Sequence, residues 1–136
     1  MMDYINEFSP FSYHEHEDGS ASVEMYTDNK YKSDLFKTRK KEGFDGSGYD
    51  WESLAQVFIQ EKMPDLQDKF AFDSEYLCFV VYSSDKGALR KFVSLFKEAC
   101  EDDTLIIDLF SKTSPQEPIT AVDMKSFLDI IAGNNK

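Results

Sequence analysis

The sequence predicts an α+β fold: an antiparallel sheet built from two hairpins and packed against several helices, in a single domain spanning residues 1–136. Three observations carry that reading. Residues 11–26 and 69–82 alternate apolar and polar side chains about turn-forming residues, as half-buried hairpins do. Several other stretches repeat apolar residues at i, i+3, i+4 and i+7, the spacing of a helix with one buried face. Strands and helices are grouped instead of strictly alternating, which argues against a parallel sheet. A chain of 136 residues is long enough to bury one proper core.

Side-chain parity sets the register of the first hairpin. A two-residue Asp18-Gly19 loop would oppose His14 to Val23 and Tyr13 to Glu24, mixing polar with apolar on both faces. A three-residue loop, Glu17-Asp18-Gly19, places Gly19 at the left-handed position of a bulged turn. The pairs are then Tyr13 with Val23, Phe11 with Met25 and Glu15 with Ala21, while His14 with Ser22 and Ser12 with Glu24 form the wet face. Pro10 cannot donate to a ladder, so the first strand begins at, or lies on, an edge. A short helix follows over residues 31–41, with Leu35 and Phe36 inward and Gly43 beyond its end.

The stretch Gly43-Phe44-Asp45-Gly46-Ser47-Gly48-Tyr49-Asp50 is a turn-rich loop leading into the chain's main helix. Asp50 is placed to cap that helix through its carboxylate. Trp51, Leu54, Ala55, Phe58, Ile59 and Met63 then form one buried stripe, with the only tryptophan in the first turn and Pro64 ending the run. The second hairpin turns near Ser74-Glu75, with Phe70, Phe72, Leu77, Phe79 and Val81 on one face and Ala71, Cys78 and Val80 on the other. Its second strand is apolar on both sides and is therefore expected at the centre of the sheet. Asp85 caps a helix that buries Leu89, Phe92, Val93, Phe96 and Cys100. Asp102 or Asp103 starts a shorter one through Leu105, Ile106, Leu109 and Phe110. Thr120 and Asp123 open a last helix that buries Met124, Phe127, Leu128 and Ile131 and stops at Gly133.

A net charge of −11 limits the partners. Nucleic acid and anionic membranes are repelled, whereas a basic protein is drawn in. The same charge also serves plain solubility. Seven acids and no Lys or Arg occupy residues 1–29, and six bases then crowd residues 30–41. That short basic run reads as a solvated helix face. No run approaches the ~20 apolar residues of a membrane-spanning helix, and Asp3 and Glu7 replace the basic start of a secretory signal. Cys78 and Cys100, each within an apolar pattern, read as buried thiols of a cytoplasmic protein.

Chemistry is sparse. His14 and His16, the only histidines, share a strand face and suggest a small metal-dependent enzyme, but no third ligand stands near them in sequence. Asp45 and Asp50 fall short of an EF-hand pattern, and the glycines lack the Lys-Ser/Thr of a phosphate loop. No catalytic, cofactor or metal site is expected. Five of seven tyrosines lie in the first 49 residues, interleaved with acids. Tyrosine gives rigid contact area and carboxylates fork with Arg, so this mixture suits a surface for a basic protein. The candidate contact residues are Glu15, Glu17, Asp18, Glu24, Tyr26, Asp28, Asp45, Tyr49 and Asp50. A general protein-interaction adaptor is the remaining alternative.

The segment from Gly43 to Ala55, with its Gly48-Tyr49-Asp50-Trp51 core, resembles the signature of a bacterial family, immunity protein 51. The likeness runs on to Glu61-Lys62-Met63, through Phe72-Asp73-Ser74-Glu75 and the strand to Tyr82, and into Lys97-Glu98-Ala99-Cys100, covering about residues 31–110. Such proteins are encoded beside secreted polymorphic toxins and protect their own cell by binding the cognate toxin domain. The resemblance thus implies a cytosolic, non-catalytic inhibitor. Many toxin domains that attack nucleic acids carry a basic cleft, which an acidic cap would both find and block.

Overall fold

The structure, a computed structural model, describes residues 7–115. Four strands, β1 (Ser12–Glu15), β2 (Ala21–Tyr26), β3 (Ala71–Phe72) and β4 (Cys78–Ser83), form an antiparallel sheet in the order β1-β2-β4-β3. With helices α1 (Ser33–Lys37), α2 (Gly48–Lys62), α3 (Lys86–Glu101) and α4 (Asp103–Ser111), this is the α+β architecture read from the sequence. The last helix expected, from Thr120 to Ile131, lies outside the described residues.

The first hairpin has the register that parity selects: Tyr13 faces Val23, His14 faces Ser22 and Glu15 faces Ala21. Gly19 takes φ +92°, and the amide of His16 donates to Ser20 O to close the three-residue loop. Phe11 does not join the ladder opposite Met25. The ladder ends at Ser12, and the Phe11 amide turns back to Phe8 O. This frees the Phe11 ring to lie among Trp51, Phe79 and Phe96.

Three other local expectations need correction. The helix over 31–41 shrinks to Ser33–Lys37, followed by a 3-10 turn at Lys40–Glu42. Arg39 breaks it. Its guanidinium reaches the carbonyls of Phe110 in the last turn of α4 and Thr113 just beyond it and also grips Glu42, so tertiary bonds override local helix preference. The second hairpin turns at Tyr76-Leu77, not Ser74-Glu75. Glu75 and Cys78 exchange backbone bonds around those two residues, while Ser74 Oγ takes the Val80 amide and interrupts the ladder. Leu77, expected on the buried face, is consequently 62% exposed at the tip. Ser47, not Asp50, caps α2: its Oγ accepts from the Asp50 amide at 3.2 Å, and the helix starts at Gly48.

The buried stripes hold. Trp51, Leu54, Ala55, Phe58, Ile59 and Met63 are buried on α2, as are Leu89, Phe92, Val93, Phe96 and Cys100 on α3. Asp85 caps α3 and Asp102 caps α4 through their carboxylates. Trp51 is the hub of a ring-rich core. It stacks on Tyr31 at 5.9 Å and 12°, and meets Phe11, Phe36, Phe79 and Phe96 at 5.2–6.4 Å. Such pairs add about 0.5–1.5 kcal/mol each beyond burial of their area. β4, apolar on both sides, runs between β2 and β3 as expected of a central strand. Both cysteines are buried free thiols.

Candidate partner-binding face and the loop that frames it

Helices α2 and α3 pack on one side of the sheet, where Val23, Phe79 and Val81 are fully buried. Alternation turns the next residues of each strand outward. Across β1, β2, β4 and β3 the outward rows are His14, Ser22, Tyr82 and Ala71, then Ser12, Glu24 and Val80, then Tyr26 and Cys78. Tyr26 is 63% and Tyr82 45% exposed, and Glu24 and Val80 are half-buried between them. This face therefore offers two rings, a carboxylate and a small apolar patch on a rigid support.

The nine candidate residues do not form one patch. Glu15, Glu17 and Asp18 sit at the β1–β2 turn. Tyr26, Asp28 and Asp45 lie toward the other end, roughly 20 Å away at ~3.3 Å per strand residue. Glu24 stands between the two groups on the outward face. Glu15 is partly committed: it accepts from the Tyr13 hydroxyl at 3.0 Å and lies 3.9 Å from Lys86 Nζ. Asp18 Oδ1 accepts from the amide and hydroxyl of Ser20, whose hydroxyl bond above all holds this carboxyl below its ordinary range. Burial and the bond to Glu15 push the Tyr13 phenol up to about 12.

Asp45 and Asp50 belong to the loop's own framework. Asp50 is 3% exposed, and its Oδ2 accepts from the amides of Asp45 and Gly46, each at 2.8 Å. Asp45 accepts from the Ser47 amide through Oδ1 and from the Tyr76 hydroxyl at the hairpin tip through Oδ2. Burial pushes the Asp50 carboxyl up, against the pull of the two amides. Burial opposes the charge on Asp45 too, but the Tyr76 hydroxyl and its other bonds outweigh it and hold that carboxyl down. Gly48 completes the joint. Its amide donates to Tyr76 O at 2.7 Å, and a Cβ there would stand 2.0 Å from Glu75 O. Tyr49, just inside α2, is half-buried.

The sequence reading missed Tyr76 and Tyr82. The alternation of β4 groups Tyr82 with Cys78 and Val80 but does not say which of the strand's two apolar faces lies open. The reach of Tyr76 to Asp45 spans 31 residues and had no local signal. His14 and His16 are exposed, and His16 Nε2 lies 3.0 Å from Ser22 Oγ. Among the described residues no three His, Cys, Asp or Glu side chains group closely enough to hold a metal ion. Among them, too, no helix is long and apolar enough to cross a membrane.

No curated protein and no solved structure matches this chain. The sequence model of one family, described as Immunity protein 51, matches residues 11–115, from the first hairpin to the residues just past α4. That span takes in β1–β4, the glycine loop and helices α1–α4, and the chain belongs to the immunity protein 51 family.

Proposed function

We propose that this protein is a cytoplasmic, non-catalytic inhibitor that binds a cognate bacterial toxin domain through the outward face of its sheet. The observation that carries the reading is the juxtaposition on that face of exposed Tyr26 and Tyr82 with Glu24, flanked at one end by Glu15, Glu17 and Asp18 and at the other by Asp28. Tyrosines supply contact area at small cost in side-chain entropy, and the carboxylates select a basic partner such as a domain that attacks nucleic acid. The charge of −11 raises the encounter rate with such a domain. Asp50 and Asp45 contribute indirectly, by fixing the loop against the hairpin tip.

Co-expression with the adjacent open reading frame tests the proposal. Rescue by the native chain is expected, together with a complex weakened at least tenfold by Tyr26→Ala combined with Tyr82→Ala. The on-rate is expected to fall with added salt. A toxic neighbour that is neither rescued nor bound refutes inhibition. A complex unaffected by both tyrosine substitutions and by Glu24→Lys moves the interface elsewhere.

A further inference from the structure

The six bases of residues 30–41 are not spent as a solvated helix face, because α1 is too short to arrange them so. Lys30, Lys37 and Lys40 instead line one concave cleft of about 300 Å³ whose walls include Tyr31 and Phe44. Among the described residues neither Lys30 nor Lys40 has a carboxylate within ion-pair distance, and Lys37 has only the solvated Asp34 at 3.9 Å. Asp45 also borders the cleft, and its bonds from the Ser47 amide and the Tyr76 hydroxyl keep it ionised, so three lysines face one carboxylate there. A larger adjoining cleft of about 490 Å³, which shares Lys30, Tyr31 and Ser33 with it, differs: acids outnumber lysines there, and Lys32 lies 3.8 Å from Asp103.

Backbone strain marks the same place. Lys30 and Lys32 hold φ of +65° and +56°, a left-handed conformation that costs a lysine and suits glycine. The surroundings enforce it. Tyr31 between them is stacked on Trp51, and its hydroxyl donates to Glu101.

We propose that this cleft binds a small organic phosphate, with Lys30, Lys37 and Lys40 toward the phosphate and the half-buried Tyr31 ring against its apolar body. Three considerations select that class. The three lysines, all within residues 30–40, border a single concavity, whereas a long polyanion calls for a stripe. The volume is that of a small-ligand pocket. The cations are all lysines, point charges suited to phosphate, without the planar fork that arginine offers a carboxylate.

Calorimetric titration of the full chain with AMP, CMP and inorganic phosphate tests the proposal. A nucleotide is expected to bind more tightly than phosphate, with affinity lowered about two- to fivefold by Lys40→Gln. Lys30→Gly separates binding from folding. Relief of the left-handed strain is expected to raise its denaturation midpoint while its nucleotide affinity drops. No binding at about 10 mM, a concentration that detects even millimolar affinity, overturns the proposal. So do equal affinity for phosphate and nucleotides, indifference to both substitutions, or tighter binding of a Glu-rich peptide.

Discussion

Gly48 is the position where loop, helix and hairpin meet, and Gly48→Ala measures that joint. The added Cβ would lie 2.0 Å from Glu75 O and 2.5 Å from Cys78 O, both backbone atoms. Ordinary contact starts near 3.4 Å, so the hairpin tip must withdraw by more than an ångström. That movement strains the Gly48 amide bond to Tyr76 O, now 2.7 Å. Overpacking of this kind costs about 1–3 kcal/mol and the weakened hydrogen bond about 0.5–1.5 kcal/mol, so the expected loss is about 2–4 kcal/mol. For a domain of this size that lowers the melting temperature by roughly 10 °C. Gly87→Ala is the matched control. It lies in the first turn of α3, where the nearest atom to a new Cβ is Asp85 Oδ1 at an ordinary 3.5 Å. Glycine's extra freedom in the unfolded chain then dominates, and a gain of about 0.5 kcal/mol is expected. Urea denaturation of the two variants reads both signs. A Gly48→Ala midpoint close to the native one would refute the claim that close backbone approach is why glycine stands there.

Ser47→Ala removes the side-chain acceptor of the Asp50 amide and is expected to cost about 1 kcal/mol in the same urea experiment. Asp50→Asn tests the buried carboxyl. Its folded-state proton affinity is raised by burial, so the folded chain holds that proton more tightly than the unfolded chain, and its contribution to stability falls as pH rises above the ordinary 3.8. The native chain is therefore expected to gain on Asp50→Asn as pH is lowered from about 7 to about 4, and a gap that moves the other way refutes the assignment. Burial pushes the Cys100 thiol up to about 12, and its residue has no exposed surface. A thiol reagent at neutral pH is expected to reach Cys100 only as fast as the chain unfolds, which peptide mapping against urea concentration checks.

What the sequence discloses about this fold is what short-range rules determine. Parity and a glycine turn settle the first hairpin, because a slip by one residue would bury His14 and expose Tyr13. Apolar spacing finds the inward faces of α2 and α3, and Asp85 and Asp102 announce their helices. The failures share a cause as well. Arg39 leaves helical geometry for carbonyls more than 70 residues away, and Asp50 yields the cap to Ser47 because its carboxylate is needed by the loop amides. At the candidate face, Glu24 and Tyr26 are visible from the alternation of β2. Tyr82 is harder to see, since β4 reads as apolar on both sides and its central place says nothing about which face lies open.

The arrangement of charge adds a constraint that no single contact supplies. Acids without bases fill residues 1–29, of which residues 12–26 make the β1–β2 hairpin, and bases crowd the next dozen residues around α1. An approaching cationic domain thus meets attraction over the hairpin and repulsion beside α1, so the field selects orientation as well as rate. On the proposed face it would meet Tyr26, Glu24 and Tyr82, whose strands are locked by paired backbone and backed by Met25, Phe79 and Val81 with almost no exposed surface. Little ordering entropy remains to be lost on binding. Reversing the field therefore separates the two contributions. Charge reversal at Glu17 and Asp18, on the tip and away from the rings, is expected to slow association several-fold while leaving dissociation nearly unchanged. A comparable rise in the dissociation rate would put the turn inside the contact itself.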